Sequence, residues 1–367
     1  MELSIGFLAF LLASASAEFI PSTDTEDGLI AAHILFRHGN RTIEDSIYDS
    51  NPYGNESLYA PYGYNQLSKE GKRTEYRLGQ MFKERYGSLV GSKYLLDLIE
   101  ARSTVTERTK MSMLLVLAGL FPPDSELQWE EQLGTIWQPI PYSTYDYDKV
   151  LYGRKVCTNY KPAYKKYVKT DEILEILKPY QEMFDYLTEK TGQDIQKAKK
   201  AADLYIELIT QIAYGYPVED WFYEYQEAMF NITVLNYRLM AGKKKLKRLS
   251  TGYFLQKIIE DTENKILEPN SSTKLYLYAA HEKNIATLLV TLDVFDDSIP
   301  TFGSHVFIEL HRISGVYGFK FYYQNYKQAE AVLLKIPGCE EFCPLATFKT
   351  IVADWIPESD DYCELDV

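Results

Sequence analysis

The chain predicts an α/β fold: a mixed sheet flanked by helices, with a mostly helical smaller domain inserted into it. Three observations lead there. Short apolar, β-forming runs stand near both ends, as "LIAAHILF" (29–36) and "KLYLYAA" (274–280), and runs without polar alternation read as strands buried on both faces. Strand and helix patterns alternate at both ends of the chain. Between them, residues 172–248 carry long charged and apolar periodicity with few glycines, which reads as helix. The expected division is residues 18–125 and 250–367 for the α/β part and 126–249 for the helical insertion.

The first 17 residues fall outside the expected fold. "IGFLAFLL" is a short apolar core and "ASA" before Glu18 suits cleavage, so residues 1–17 read as a signal peptide. The stretch is too short to span a bilayer, and the expectation is a secreted, extracellular protein with no membrane partner. Asn55, Asn231 and Asn270 open glycosylation sequons, in keeping with that route. Asn40 opens another, but it lies inside the candidate site.

After the first strand comes "LFRHGNRT" (35–42), then a polar loop. Ser68 is placed to cap a helix in which Leu78 and Phe82 share a face. "LLDLIEARSTVTERTKMSMLLVLAGLFPP" reads as a short strand, then Arg102 to Arg108, then a helix stopped by Pro122 and Pro123. "KLYLYAAHEKNIATLLVTLDVF" reads as strand, turn and helix. "SHVFIELHR" and "GFKFYYQNY" alternate around "ISGVY", which predicts a β-hairpin.

Charge and cysteine content narrow the classes. The net charge is −13, which excludes broad electrostatic capture of nucleic acid. The basic run "KKKLKR" (243–248) reads as a solvated helix face. In a secretory setting the four cysteines favour disulfides: "GCEEFC" could close a tight Cys339–Cys343 loop, leaving Cys157 to pair with Cys363. A metal site is the rival reading, but no histidine neighbours these cysteines in sequence.

Two strand ends therefore carry Arg37-His38-x-x-Arg41 and His281-Glu282, with Arg102 after a third strand. In an α/β sheet such ends face the ligand cleft. Guanidiniums hold phosphate oxygens bidentately and stay charged. A histidine among them can attack phosphorus, a second histidine can help neutralise the equatorial oxygens, and a neighbouring carboxylic acid can protonate a leaving alcohol. This chemistry needs no metal and no cofactor. Any one of these residues taken singly is more often structural, and His33, His305 and His311 are read that way.

On "LFRHGNRT", "ARSTVTERTKMSMLLVLAGLFPP", "YAAHEKN" and "IPGCEEFCPL" followed by Cys363, the chain resembles the histidine acid phosphatases of the prostatic and lysosomal type over nearly the whole mature sequence. The resemblance implies an α/β domain with a helical insertion and a phosphohistidine mechanism. It implies His38 as nucleophile, Glu282 as proton donor, and Arg37, Arg41, Arg102 and His281 as phosphate ligands. Departures accompany it. The family's donor is usually aspartate. Ile43 replaces the proline that closes the RHGxRxP motif, Lys283 follows Glu282 in place of a small polar residue, and one of the family's common disulfides is missing. The chain also resembles acid-phosphatase-like proteins of insect saliva. That resemblance implies a site impaired in hydrolysis that sequesters small host mediators, such as biogenic amines and eicosanoids including leukotrienes. The other expectation is an active secreted acid phosphatase acting on phosphate monoesters.

Overall fold

The computed structural model describes residues 27–326, 328–359 and 362–365. The expected signal segment lies outside them. Seven strands form one sheet among the described residues: β1 (Gly28–Arg37), β2 (Ile99–Ser103), β3 (Leu275–Ala280), β4 (His305–Ile313), β5 (Val316–Gln324), β6 (Val332–Leu334) and β7 (Cys343–Pro344). The order is β2-β3-β1-β4-β5-β6, with β7 also paired to β5. β1 and β2 run parallel to β3, while β1–β4 and β4–β5 are antiparallel. The sheet is therefore mixed, as the sequence pattern predicts.

β1 and β3 are buried on both faces because helices cover each side. Successive side chains along a strand point to opposite faces. From β1, Ala32, Ile34 and Phe36 pack with Leu78, Phe82 and Val116 of helices α1 (Lys69–Val90) and α2 (Glu107–Leu120). Ala31 and Leu35 point the other way. They join a second cluster with Phe254, Ile258, Ile285 and Leu288, continuous with Leu204, Leu208 and Ile232 from the helices after residue 170. The helical segment thus closes over the same face of the sheet that leads to the site.

Local signals explain the element ends. The Ser68 hydroxyl accepts from the Gly71 N–H at the start of α1, satisfying one of the four free donors of a first helical turn. α2 stops at Leu120, before Pro122. The β4–β5 turn has positive φ at both Ser314 (50°) and Gly315 (77°), the backbone that a two-residue hairpin of right-handed twist requires.

All four cysteines are bridged, as Cys157–Cys363 and Cys339–Cys343. The first bridge ties the C-terminal segment to the end of helix α3 (Lys149–Val156) inside a small cluster with Tyr160, Leu246, Leu249 and Tyr253. No helix among the described residues is long and apolar enough to cross a membrane.

The bridges differ in the length of chain they close, with separations of 206 and 4 residues. Loop-entropy reasoning assigns about 5 kcal/mol to the long bridge and about 2 kcal/mol to the short one. The paired Cys157→Ser and Cys363→Ser protein should lose that larger amount in denaturant unfolding, and the Cys339→Ser and Cys343→Ser protein clearly less. Equal losses would contradict this.

Candidate active site

The register of three strands assembles the site. Arg37 ends β1 opposite Ala280, the last residue of β3, and the His38 N–H donates to the Ala280 carbonyl at 3.1 Å. The chains leaving β1 and β3 therefore emerge side by side as Arg37-His38 and His281-Glu282. The two imidazoles meet edge to face with centroids 5.3 Å apart. Past His38 the chain presses on the start of α1, where a Cβ on Gly71 would run into the backbone oxygen of Asn40. Only glycine permits this approach, and it fixes the turn that presents Arg41. Ile43 is fully buried in that turn, so packing holds it where a proline is absent.

His38 is fixed at both nitrogens. Nδ1 lies 2.9 Å from the Gly39 carbonyl oxygen, and Nε2 lies 3.1 Å from Nε of Arg108. A carbonyl can only accept and a guanidinium can only donate. The hydrogen therefore sits on Nδ1, and the lone pair of Nε2, at the cleft, accepts from Arg108. Burial pushes the imidazole pKa well below its ordinary value, and the charges of Arg108, Arg37, His281 and Arg41 push it further. The ring is therefore harder to protonate than an ordinary imidazole.

The cations surround that lone pair. Arg37 is buried, donates from Nη1 to the Pro300 carbonyl at 2.6 Å, and lies over the Phe302 ring. Arg41 is buried, and donates to the Thr42 carbonyl and to Glu44. Arg108 donates to His38, to Asn65 Oδ1 at 3.2 Å and to Glu44. Nε of Arg41 is buried without a hydrogen-bond partner, and Nε of Arg37, likewise without one, faces only the ion-pair partner Glu282 at 3.5 Å. Buried donors of this kind ordinarily find acceptors, so an anion between the guanidiniums would complete them. His281 is buried, with Nε2 3.1 Å from the Tyr152 hydroxyl and 3.2 Å from the Thr104 hydroxyl. The His281 backbone N–H reaches Asn284 Oδ1 in the first turn of the helix Glu282–Thr291.

Glu282 is buried with Oε2 3.5 Å from Nε of Arg37. Burial alone would raise its pKa, but Arg37, then Lys283, His281 and Arg41, hold it well below the usual carboxylate range. Lys283 is the lesser influence, and its ammonium also faces Asp203 Oδ1 at 3.6 Å.

Five of the six expected residues, Arg37, His38, Arg41, His281 and Glu282, meet here. Arg102 does not. Its guanidinium is held bidentately by Asp148, at 2.9 and 2.8 Å, and Tyr145 covers it. Asp148 is buried and also caps α3. Arg102 lies one residue before the end of β2 and is engaged by this partner 46 residues downstream. The cation that reaches His38 is Arg108, in the first turn of the following helix. The sequence offered a signal for it, because a strand followed by a helix N-terminus directs the helix's first turn into the cleft. Asn65 and Glu44, from the polar loop, carried no such signal.

A family model described as histidine phosphatase superfamily (branch 2) matches residues 28–324. The chain belongs to this family. Within it, the chain is 30% identical over 347 residues to a venom acid phosphatase of Apis mellifera, covering 90% of this chain and 86% of the relative. It is 29% identical over 366 residues to human prostatic acid phosphatase, covering 97% and 92%. Among solved structures, Hafnia alvei phytase in complex with tartrate matches with a TM-score of 0.65 at 17% identity, over 93% of this chain and all of that one. As a histidine phosphatase, the chain keeps its histidines at the ends of two adjacent parallel strands.

The two arginines after β2 should separate by experiment. Arg108→Ala should abolish measurable binding of inorganic phosphate in calorimetry while leaving the melting transition nearly unchanged. Arg102→Ala should leave phosphate binding within a few-fold but destabilise the fold by roughly 3–5 kcal/mol, because it strands the buried Asp148 charge. The reverse pattern would return Arg102 to the site.

Proposed function

We propose that this protein is a secreted acid phosphatase that hydrolyses phosphate monoesters through a phosphohistidine on His38. The observation that carries the reading is the His38 imidazole, its hydrogen held on Nδ1 by the Gly39 carbonyl and its Nε2 amid Arg37, Arg41 and Arg108, of which Arg108 would turn from Nε2 to the phosphoryl oxygens. The arginines and His281 hold the phosphoryl oxygens. Nε2 attacks phosphorus as the ester P–O bond breaks, and Glu282 gives its proton to the leaving alcohol. Water then attacks phosphorus as the P–Nε2 bond breaks and its electron pair returns to His38, the Glu282 carboxylate takes the water's proton, and inorganic phosphate leaves. No nucleic acid or membrane enters this chemistry.

Glu282 must be protonated for the first step. In the free protein the cations hold it ionised. A bound phosphate brings negative charge among those cations and draws the carboxyl pKa upward. As pH falls through that raised value the acid form fills, so turnover increases toward acid. His38 opposes this only below the ordinary imidazole range, because burial and then the neighbouring cations depress its pKa.

A second reading, sequestration of small amines or eicosanoids, draws on Tyr64, the chain neighbour of Asn65, whose Oδ1 accepts from Arg108. One assay decides between them. Hydrolysis of p-nitrophenyl phosphate at acid pH that vanishes in His38→Ala supports the enzyme. No hydrolysis, with retained titration of serotonin or a leukotriene, supports the binder.

The role of Glu282 yields a leaving-group prediction. Glu282→Gln should lower kcat/KM, which reports the phosphorylation step and not the shared hydrolysis of phosphohistidine, on an alkyl phosphate by about 10²–10⁴-fold and on an aryl phosphate much less, since a good leaving group needs little protonation. In the unaltered protein, kcat on the alkyl phosphate should fall as pH rises through the Glu282 pKa. Equal losses on both substrates would remove Glu282 from the acid role.

A further inference from the structure

Glu44 stands at the mouth of the site, where two of the clamping arginines reach solvent. Its Oε1 lies 3.4 Å from Nη2 of Arg41 and 3.5 Å from Nη2 of Arg108. The arginine side chains are 7% and 13% exposed, and that of Glu44 is 57% exposed. The carboxylate thus sits at the solvent boundary, on the two nitrogens best placed for the outer oxygens of an anion. A phosphoryl group that binds Arg41 and Arg108 takes those donors from it. Glu44 then remains beside the mouth with its charge uncompensated, and the part of a substrate that projects toward it is the alcohol.

The surrounding lip has the same character. The segment 41–43 pairs with 65–67, through Thr42 N–H to the Gln66 carbonyl and Asn65 N–H to the Ile43 carbonyl. Exposed Asp45 and Glu56 and the half-buried rings of Tyr62 and Tyr64 are carried on this lip. Glu56 accepts from the Tyr64 N–H. Lys72 is the cation nearby, over the Tyr62 ring at 4.7 Å. Carboxylates beside aromatic faces attract ammonium groups and repel additional anionic groups.

Building on the phosphatase reading above, we infer that Glu44 is a specificity residue that selects monoesters whose alcohol carries a cationic, ammonium-type group and discriminates against polyanionic phosphoesters.

The test uses the full-length protein and its Glu44→Gln variant. Inorganic phosphate, phosphocholine, glycerol 2-phosphate and inositol hexakisphosphate are titrated by calorimetry, and the monoesters are also assayed for kcat/KM at low ionic strength. The unaltered protein should favour phosphocholine over glycerol 2-phosphate. Glu44→Gln should reduce that ratio about two- to fivefold, as loss of one exposed charge pair allows, and should tighten both inorganic phosphate and the hexakisphosphate. The changes should shrink in high salt. An unchanged ratio, with phosphate binding intact, overturns the role of Glu44 and leaves the phosphatase reading standing. Failure of the unaltered protein to bind inorganic phosphate at all overturns both.

Discussion

The register that places Arg37 beside Ala280 sets where every charged group of the site falls. Two parallel strands ending level with one another release Arg37-His38 and His281-Glu282 into one cleft. A slip of one residue would turn each side chain to the opposite face and bury the arginines against a helix layer. The sheet tolerates no such slip, because Ala32, Ile34 and Phe36 and their counterparts in β3 are enclosed by α1, α2 and the helices on the other side. Hydrophobic packing well below the site is therefore what holds its electrostatics in register.

Those electrostatics are lopsided. Arg37, Arg41 and Arg108 converge with two imidazoles, opposed at close range by Glu282 and Glu44. Excess positive charge in a buried place costs stability unless it meets an anion. Burial first, and the same excess second, lower the pKa of both imidazoles, and the excess lowers that of Glu282. A phosphoryl group would relieve the repulsion and shift the one group, Glu282, that must gain a proton. Binding and acid activation are thus two aspects of one charge balance. The Cys157–Cys363 bridge supports it at a distance, since α3 carries both Tyr152 against His281 and the Asp148 cap that engages Arg102.

Much of this was legible in the chain. The apolar runs ending in "RHGNR" and "HEK" marked β1, β3 and the residues they deliver, because local pattern sets both the strand and its end. The hairpin around Ser314 and Gly315 was legible for the same reason. Arg102 was misread because its partner, Asp148, lies in a loop whose position depends on the tertiary fold, and no spacing rule reaches that far. Arg108 was passed over in favour of the arginine nearer the strand, although the helix's first turn is what points inward. Lys283, legible next to Glu282, does oppose the effect of burial and lower the carboxyl pKa, second to Arg37, while its ammonium also faces Asp203 of a distant helix.

The central claim is that His38 Nε2 becomes the covalent phosphate carrier. It is tested most directly by mixing the protein with a phosphate monoester at acid pH, quenching within the first turnover in denaturant made alkaline to preserve phosphohistidine, and locating phosphate by peptide mass spectrometry. The account predicts label on His38 that is absent when Arg108 is replaced by alanine. Rapid hydrolysis with no phosphopeptide containing His38, or label on another residue, would contradict it.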